Sequence, residues 1–561
     1  MKHNFIDHWK LYLILPFCLL LSLFFPFEPG GESWGYWAFS RITIDSGLFV
    51  TTDRSPLYTL YLIPFHLFEY PLSVSLEYLV TTSIVLIAII LFSKRYIGIH
   101  WAILFCFLWL PFIQISEPPV QKLALACSLF AIILRQNTNR NKLSWSYTLF
   151  LMAYMFRSTY IIFLLLFIFW DLYLFYLKNN KSLFIKKLFP RFSDLPLFLV
   201  VSLFITFIFF QSAHVWNNAQ FANTIWFPGA DGLINASFIQ SFNILFIIEK
   251  YSEFTFKDFY FTNQELFNGA ETIWTAIKEN PSFVISQVFQ NVFNIIKGII
   301  DFVGFVPFTK VDSIFIFILA LWGLVMTILK VKDNELNIFI IGNVLMLGAL
   351  VLTLPKSRYF FPLIPLFIIS TGWIVRNLKQ FLSEKKIKPH YKKLILGFNT
   401  LIVLALLSPS VSSAWVGNAL SLAKNISSNS TILEKPKSIK PHVSKIESLL
   451  HTCKGVMALE NTFLAAFSSI PLEHIVDIWE IPPFGFYKKN ISSYDGLIPE
   501  RIDCLLISEG LSTGVGLGTN SKLRYQNYIL PYISFLDELG AERVELKNFG
   551  YIVVLKKYKN D

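Results

Sequence analysis

Charge is scarce in this chain. Only 15% of its 561 residues are Asp, Glu, Lys or Arg, against about 25% in soluble globular domains. With 54% hydrophobic and 17% aromatic residues, that shortage excludes an ordinary water-soluble fold and points to a membrane protein. Cysteine is sparse too, with five in all. Cys18, Cys106 and Cys127 fall in apolar runs and read as small packing residues. No Cys or His spacing fits zinc. Cys453 and Cys504 lie in a more polar C-terminal region, where a disulfide or two thiols would fit. A small-residue cleavage site is missing after the first apolar run, Leu11 to Phe25, so that run reads as a retained helix. The net charge of +11 would suit nucleic acid, but most of it lies in short loops between apolar runs. Topology accounts for it, and no nucleic-acid partner is expected.

What is present in abundance is apolar length. At about 20 residues per crossing, the runs predict about eleven transmembrane helices. They fall near 10–27, 71–93, 97–115, 119–135, 145–157, 159–177, 195–211, 312–329, 336–354, 359–376 and 394–410. Arg157 separates the fifth from the sixth, which are otherwise one long run from Trp145 to Leu177. Positive charge decides between a hairpin and a single helix. With the N-terminus cytoplasmic, the inner segments hold Lys2 and Lys10, Lys94 and Arg95, Arg135, Arg140 and Lys142, then five cations between Lys178 and Arg191, Lys330 and Lys332, and seven between Arg376 and Lys393. Outer segments are much poorer for their length, as the positive-inside rule requires. Merging the fifth and sixth spans would put the Lys178–Arg191 cluster outside, so the hairpin is the expectation.

The predicted fold class is mainly α: a polytopic membrane helical bundle with a small C-terminal extracytoplasmic α/β domain. Residues 1–411 form the transmembrane domain, with outer loops at 28–70 and 211–311, and residues 412–561 form the outer domain with its linker. The expected setting is a bacterial inner membrane. In the first loop, Ser33–Ser46 reads as a helix along the membrane surface, followed by a turn at Asp53–Pro56. In the second, Glu271–Asn280 and Ser282–Phe302 read as helices broken at Asn280-Pro281. Val284, Val288, Val292 and Ile295 recur at helical spacing, so the latter helix lies on the membrane surface or on other helices. In the outer domain, Gly455–Leu459, Asp503–Ser508 and Gly550–Lys556 read as strands and Lys522–Leu539 as a helix ended by Gly540. The glycines at 514, 516 and 518 lack dinucleotide-loop spacing and read as a flexible loop.

Charges at the outer ends of helices are the candidates for chemistry, because a membrane protein hides charge it does not need. Glu32 follows the first span in Gly30-Gly31-Glu32-Ser33-Trp34-Gly35-Tyr36. It is either a base for an acceptor hydroxyl or an acid at a helix start. Asp53 and Arg54 occupy a turn that enters an apolar segment and can pair locally. Glu117, before Pro118-Pro119, is a helix-start acid or, with Glu32, an oxygen ligand to a divalent cation such as Mg or Mn. Arg157, Lys356 and Arg358 are cations on a side poor in them. They suit a lipid phosphate or snorkelling to headgroups.

Four features, in order over residues 1–380, resemble the GT-C class of integral-membrane glycosyltransferases, in particular the branch of protein O-mannosyltransferases and the lipid A aminoarabinose transferase. They are Glu32 with Tyr36 after the first span, the turn Ser55-Pro56-Leu57-Tyr58, the break Asn280-Pro281, and Arg358-Tyr359 with Pro362 and Pro365 opening a late span. The chain departs from that pattern in having Glu32 followed by Ser33, where the class has Asp and often a second acid, and Ser55 in place of a proline. The resemblance implies transfer of a sugar from a polyprenyl-phosphate donor to a lipid, glycan or protein acceptor at the outer membrane face. It implies phosphate contacts from Arg358, Lys356 and Arg157, a general-base role for Glu32, and a sugar pocket bordered by Tyr36 and Trp34. The substrate-binding set is then Tyr36, Asp53, Arg54, Arg157, Lys356, Arg358 and Tyr359. A polymerase or ligase of lipid-linked glycans would also need an outer cavity, but the Gln211–Lys310 loop has no arginine. A lipid or glycan transporter would show repeated halves and midplane charges, and neither is apparent.

Overall fold

The computed structural model describes residues 56–69, 72–108, 119–136, 143–178, 273–303, 333–352 and 357–383. It also describes five strands between 456 and 554 and scattered residues near 36–45, 266–268, 321–328, 534 and 538. The expected spans at 10–27, 195–211 and 394–410, most of 312–329, the glycine loop and Cys453 lie outside them, as do Glu32, Asp53, Arg54, Glu117 and Lys356. The backbone of Arg358 is described and its side chain is not.

The described chain is mostly helical. We number its helices α1 (Pro56–Leu62), α2 (Leu72–Ile97), α3 (Ile99–Leu108), α4 (Pro119–Gln136), α5 (Leu143–Phe156), α6 (Ile161–Lys178), α7 (Ile273–Glu279), α8 (Pro281–Val303), α9 (Asn334–Ala349) and α10 (Ile364–Ser383). By length and apolar composition, Leu72–Ile97, Pro281–Ile300 and Tyr359–Arg376 can each cross a membrane. The second and third expected spans meet at Gly98, whose φ of +84° lets α2 end and α3 begin within one residue. That left-handed conformation costs glycine little.

The hairpin at Arg157 is present. The Phe150 and Phe167 rings stack at 4.8 Å, and Tyr147 donates to Asp171. Both pairs fold about the same centre, so α5 and α6 run antiparallel. The 3₁₀ turn Ser158–Tyr160 joins them, and Tyr160 N–H donates to the Arg157 carbonyl at 3.0 Å. Helix α4 packs between α5 and α2, and α10 packs on α2 and α3.

Polar side chains define two ends of this bundle. At one end Arg95 meets Asp333 at 3.0 Å and donates to the Gln136 carbonyl at 3.3 Å, while Arg376 donates to the Tyr96 carbonyl at 3.0 Å. Asp333 also caps α9 by accepting from Leu336 N–H at 2.9 Å. The charge rule assigns Arg95, Arg135 and Arg376 to one side, and Arg135 pairs with Asp171 at 2.5 Å toward this same end. Helical rise sets Glu77 about 27 Å from Arg95 along α2, at the opposite end.

The break at Asn280-Pro281 is real: the Asn280 carboxamide oxygen accepts from Phe283 N–H at 3.2 Å and opens α8. Of the residues whose spacing set the expected face of α8, Val284 and Ile295 are buried and Val292 is exposed. Val284, Asn291, Ile295 and Ile299 are buried, and Asn291 donates to the Val351 carbonyl at 3.0 Å. Ile285, Phe289, Phe293 and Ile296 are exposed as an apolar stripe that suits lipid.

Strands β1 (Val456–Leu459), β2 (Ile475–Asp477), β3 (Cys504–Ser508), β4 (Glu542–Leu546) and β5 (Gly550–Val554) form one mixed sheet in the order β2-β1-β3-β5-β4. The inner strand β1 is parallel to β2 and β3, with Val456 opposite both Ile475 and Cys504. Strand β5 is antiparallel to both its neighbours. Cys504 is fully buried and disulfide-bonded, whereas Cys106 and Cys127 are free thiols. Of the expected 522–539 helix, Ser534 and Glu538 are described, and both are helical.

Candidate functional site

The site is built where the segment from Tyr36 to Leu67 meets the ends of α2 and α5. The described residues between Tyr36 and Asp45 are helical, as expected for Ser33–Ser46. Pro56 then opens α1, a position where proline's missing N–H costs nothing. Helix α1 seats Leu57 and Leu60 around Met155 together with Leu151 and Met152 of α5. This fixes α1 just before the Arg157 turn.

Tyr36 and Tyr58, from two separate sequence motifs, meet edge to face with ring centroids 4.9 Å apart. Both are buried. Tyr58 stacks on Tyr61 at 5.8 Å, and its hydroxyl donates to Glu77 Oε1 at 3.1 Å. Thr81, one turn along α2, donates to the same oxygen at 2.6 Å and exchanges a hydrogen bond with the Tyr61 hydroxyl at 2.9 Å. Burial first, and then the Glu77 carboxylate, push the Tyr58 phenol well above its ordinary range. Tyr58 therefore stays a protonated donor.

A second contact ties the same segment to itself. Ser40 donates to the Trp37 carbonyl at 2.7 Å. The Ser40 oxygen lies 2.5 Å from His66 Nε2. Which of the two donates depends on the imidazole tautomer. The Trp37 and His66 rings pack at 5.0 Å. Burial, reinforced by Arg41 and opposed by the hydrogen bond to Trp37, lowers the imidazole to about 4.

Arg157 and Tyr359 form the other half. The guanidinium lies 5.5 Å from the Tyr359 ring centroid and donates to its hydroxyl at 3.4 Å. Tyr359 stands in the 3₁₀ turn Ser357–Leu363, which leads into α10 and also holds Arg358. The structure thus brings Tyr36 to Tyr58, and Arg157 to Tyr359, at the same end of the bundle. Glu32, Asp53, Arg54, Glu117 and Lys356 lie outside the described residues, so neither the expected base nor the expected Glu32–Glu117 cation site is placed. Among the described residues no group of three His, Cys, Asp or Glu gathers to hold a metal.

Two residues were missed by reading the sequence: Glu77 and Lys122, at 1% and 0% exposure. Lys122 sits in the first turn of α4, 5.0 Å from the Tyr78 ring centroid. The signal available was a lone acid and a lone base, each near the start of an apolar run.

No family model matches the chain, and no curated protein matches it. The solved structures similar to it include the following three. ArnT from Cupriavidus metallidurans bound to undecaprenyl phosphate is 12% identical, over 99% of this chain and 98% of that one, with a TM-score of 0.45. The same protein in its apo state is 13% identical over 98% of both chains, also at 0.45. The Archaeoglobus fulgidus oligosaccharyltransferase in its apo form is 12% identical, over 98% of this chain and 74% of that one, at 0.46. At this distance the likeness says nothing about the chemistry of this chain.

Proposed function

We propose that the chain is an integral-membrane glycosyltransferase that moves a sugar from a polyprenyl-phosphate donor to an acceptor at the outer face of the membrane. The observation that carries this reading is the pairing of Arg157 with Tyr359, at the bundle end where Tyr36 meets Tyr58. Motif residues that are far apart in sequence become neighbours there.

The division of labour follows from the charges. Arg157, with Arg358 and Lys356, holds the donor phosphate and stabilises the charge that grows on it as the glycosidic bond breaks. Glu32, four residues before Tyr36 in the sequence, takes the proton from the acceptor hydroxyl as that oxygen attacks the anomeric carbon. Attack from the face opposite the leaving phosphate inverts the anomeric centre. Tyr36 borders the sugar, and Asp53 and Arg54 line the approach to it. A divalent cation held by Glu32 and Glu117 would add positive charge beside the phosphate. In this reading residues 211–311 cover the site and exclude water, and residues 412–561 form an outer domain. The buried disulfide at Cys504 supports that outer placement, since disulfides persist in oxidising compartments.

Purification in mild detergent, mass spectrometry of co-purifying lipid and a transfer assay with that lipid's glycosyl phosphate test the reading. A bound polyprenyl phosphate that serves as donor is expected. No lipid phosphate and no transfer would remove the proposal. A reporter fused at residue 185 is expected to read as cytoplasmic, and an extracytoplasmic signal would invert the topology.

A further inference from the structure

We propose that α8 does not cross the membrane but lies along one of its interfaces, docked by one face on the turn that carries Tyr359 and by another on the lipid. The inference holds whether or not the functional reading does.

Length and composition alone would let Pro281–Ile300 span a bilayer. Its neighbours point elsewhere. Among the described elements, α8 packs chiefly on the 3₁₀ turns Leu350–Leu352 and Ser357–Leu363 and on α7. Asp333 caps α9 beside Arg95 at the opposite end of the bundle, so these turns close the end that holds Arg157 and Tyr359. The contact is made near the middle of the helix, where Asn291 donates to the Val351 carbonyl at 3.0 Å. Standing along the membrane normal at that point, α8 would carry half its length, about 17 Å, past the end of the bundle. Lying across the end, it keeps its length against bundle and bilayer.

The side chains agree. At about 100° per residue, they sort into separate sectors. Val284, Asn291, Ile295 and Ile299 share one, and all are buried. Ile285, Phe289, Val292, Phe293 and Ile296 share the next, and all are exposed. Ser286, Gln290 and Lys297 share a third, with Ser286 and Lys297 exposed. A spanning helix at the rim of a bundle has use for the first two only, because a polar sector facing acyl chains is costly. An interface suits all of them, with the apolar sector sunk about 5–10 Å into the acyl boundary. Lys297, the one cation of the helix, stands beside that sector. Its stem can lie on lipid while its ammonium meets headgroup phosphate. The occupant is bilayer because the bundle's own lipid-facing surface reaches this level. Val344 and Leu345, in the last two turns of α9, are exposed apolar residues just before the turn that α8 covers. Helix α8 therefore holds the turn bearing Tyr359 at headgroup depth.

Depth measurement tests this in full-length protein in nanodiscs of phosphatidylglycerol and phosphatidylcholine. Nitroxide labels carried on p-acetylphenylalanine leave the native cysteines intact. Power saturation against oxygen and an aqueous nickel chelate then reports where each label lies. Labels at Ile285, Phe289 and Ile296 are expected at one shallow depth in lipid, and labels at Ser286, Gln290 and Lys297 are expected to meet the chelate. A depth that changes steadily from Ile285 to Ile296, by about 16 Å, makes α8 a span and overturns the proposal. Labels on the apolar sector that meet the chelate, or neither agent, put water or protein there and overturn it equally. The second measurement needs no substitution. Wild-type protein is photolabelled by phospholipids bearing a diazirine either near the headgroup or at the acyl terminus. The shallow probe is expected to label residues 281–303 several-fold more than the deep one, and labelling by the deep probe that equals or exceeds it overturns the proposal.

Discussion

The Arg157 guanidinium reaches the Tyr359 hydroxyl at 3.4 Å across a sequence separation of 202 residues and lies 5.5 Å from the ring centroid. One residue is the tip of a hairpin and the other opens the turn into α10. Held against the ring, the guanidinium keeps donors available, because the phenol takes one of its five. That arrangement suits a forked contact to phosphate. Arg157→Ala is expected to weaken binding of a polyprenyl phosphate by about 10–100-fold, the loss of one charge-assisted contact. Arg157→Lys should recover part of it, since a lysine has charge without the fork. Titration of the lipid phosphate in nanodiscs measures both, and wild-type affinity in Arg157→Ala removes Arg157 from the site.

Glu32 is expected to act on the other substrate. If it is the general base, Glu32→Gln should lower kcat by about 10²–10⁴-fold and leave the apparent affinity for the donor unchanged. Single-turnover transfer with preloaded donor separates these quantities. Normal transfer by the variant would return Glu32 to the role of a helix-start acid.

Much of this was legible in the sequence, for definite reasons. Arg157 stood out because it interrupts an apolar run on the cation-poor side, and the hairpin followed from the Lys178–Arg191 cluster. Tyr36, Tyr58 and Tyr359 were legible because short motifs surround them. Glu77 and Lys122 were not, because a single charge inside an apolar run does not alter its reading as a span. Only the packing of α2 on α4 shows both side chains buried. The sheet was half legible. Strands β1, β3 and β5 announce themselves as apolar runs, whereas β2 is only Ile475–Asp477 and β4 alternates charge as Glu542-Arg543-Val544-Glu545. The placement of β5 between β3 and β4 depends on pairing and not on local pattern.

His66 carries a pH signature outside the spans. Its folded value is about 4, against an ordinary value of 6.5. Between these values the unfolded chain takes up a proton that the folded chain refuses, so stability is full above about pH 6.5 and declines as the pH falls toward 4. Protonation would also place a cation beside Arg41. Thermal unfolding in detergent across this interval should show the decline in the wild type and a flatter profile in His66→Gln. Identical slopes in the two proteins would mean that His66 is not held neutral.

Two helix-packing glycines should respond differently to the same change. A methyl group added at Gly342 of α9 would stand 2.4 and 2.6 Å from two ring carbons of Phe163 on α6. That ring has no room to yield, since it also stacks on Phe339 at 5.2 Å and is fully buried. Close approach of this kind is what small residues allow between membrane helices. At Gly372 of α10 the nearest atom, at 2.5 Å, is the Cδ1 of Ile97, the free end of a flexible side chain, with Phe105 further off at 3.2 Å. Gly342→Ala is therefore expected to destabilise by about 1–3 kcal/mol, as overpacking does, and Gly372→Ala by clearly less. Unfolding of the two variants in the same detergent, followed by loss of monodisperse protein on heating, ranks them. An equal or reversed ranking would show that α6 and α9 are not packed through Gly342.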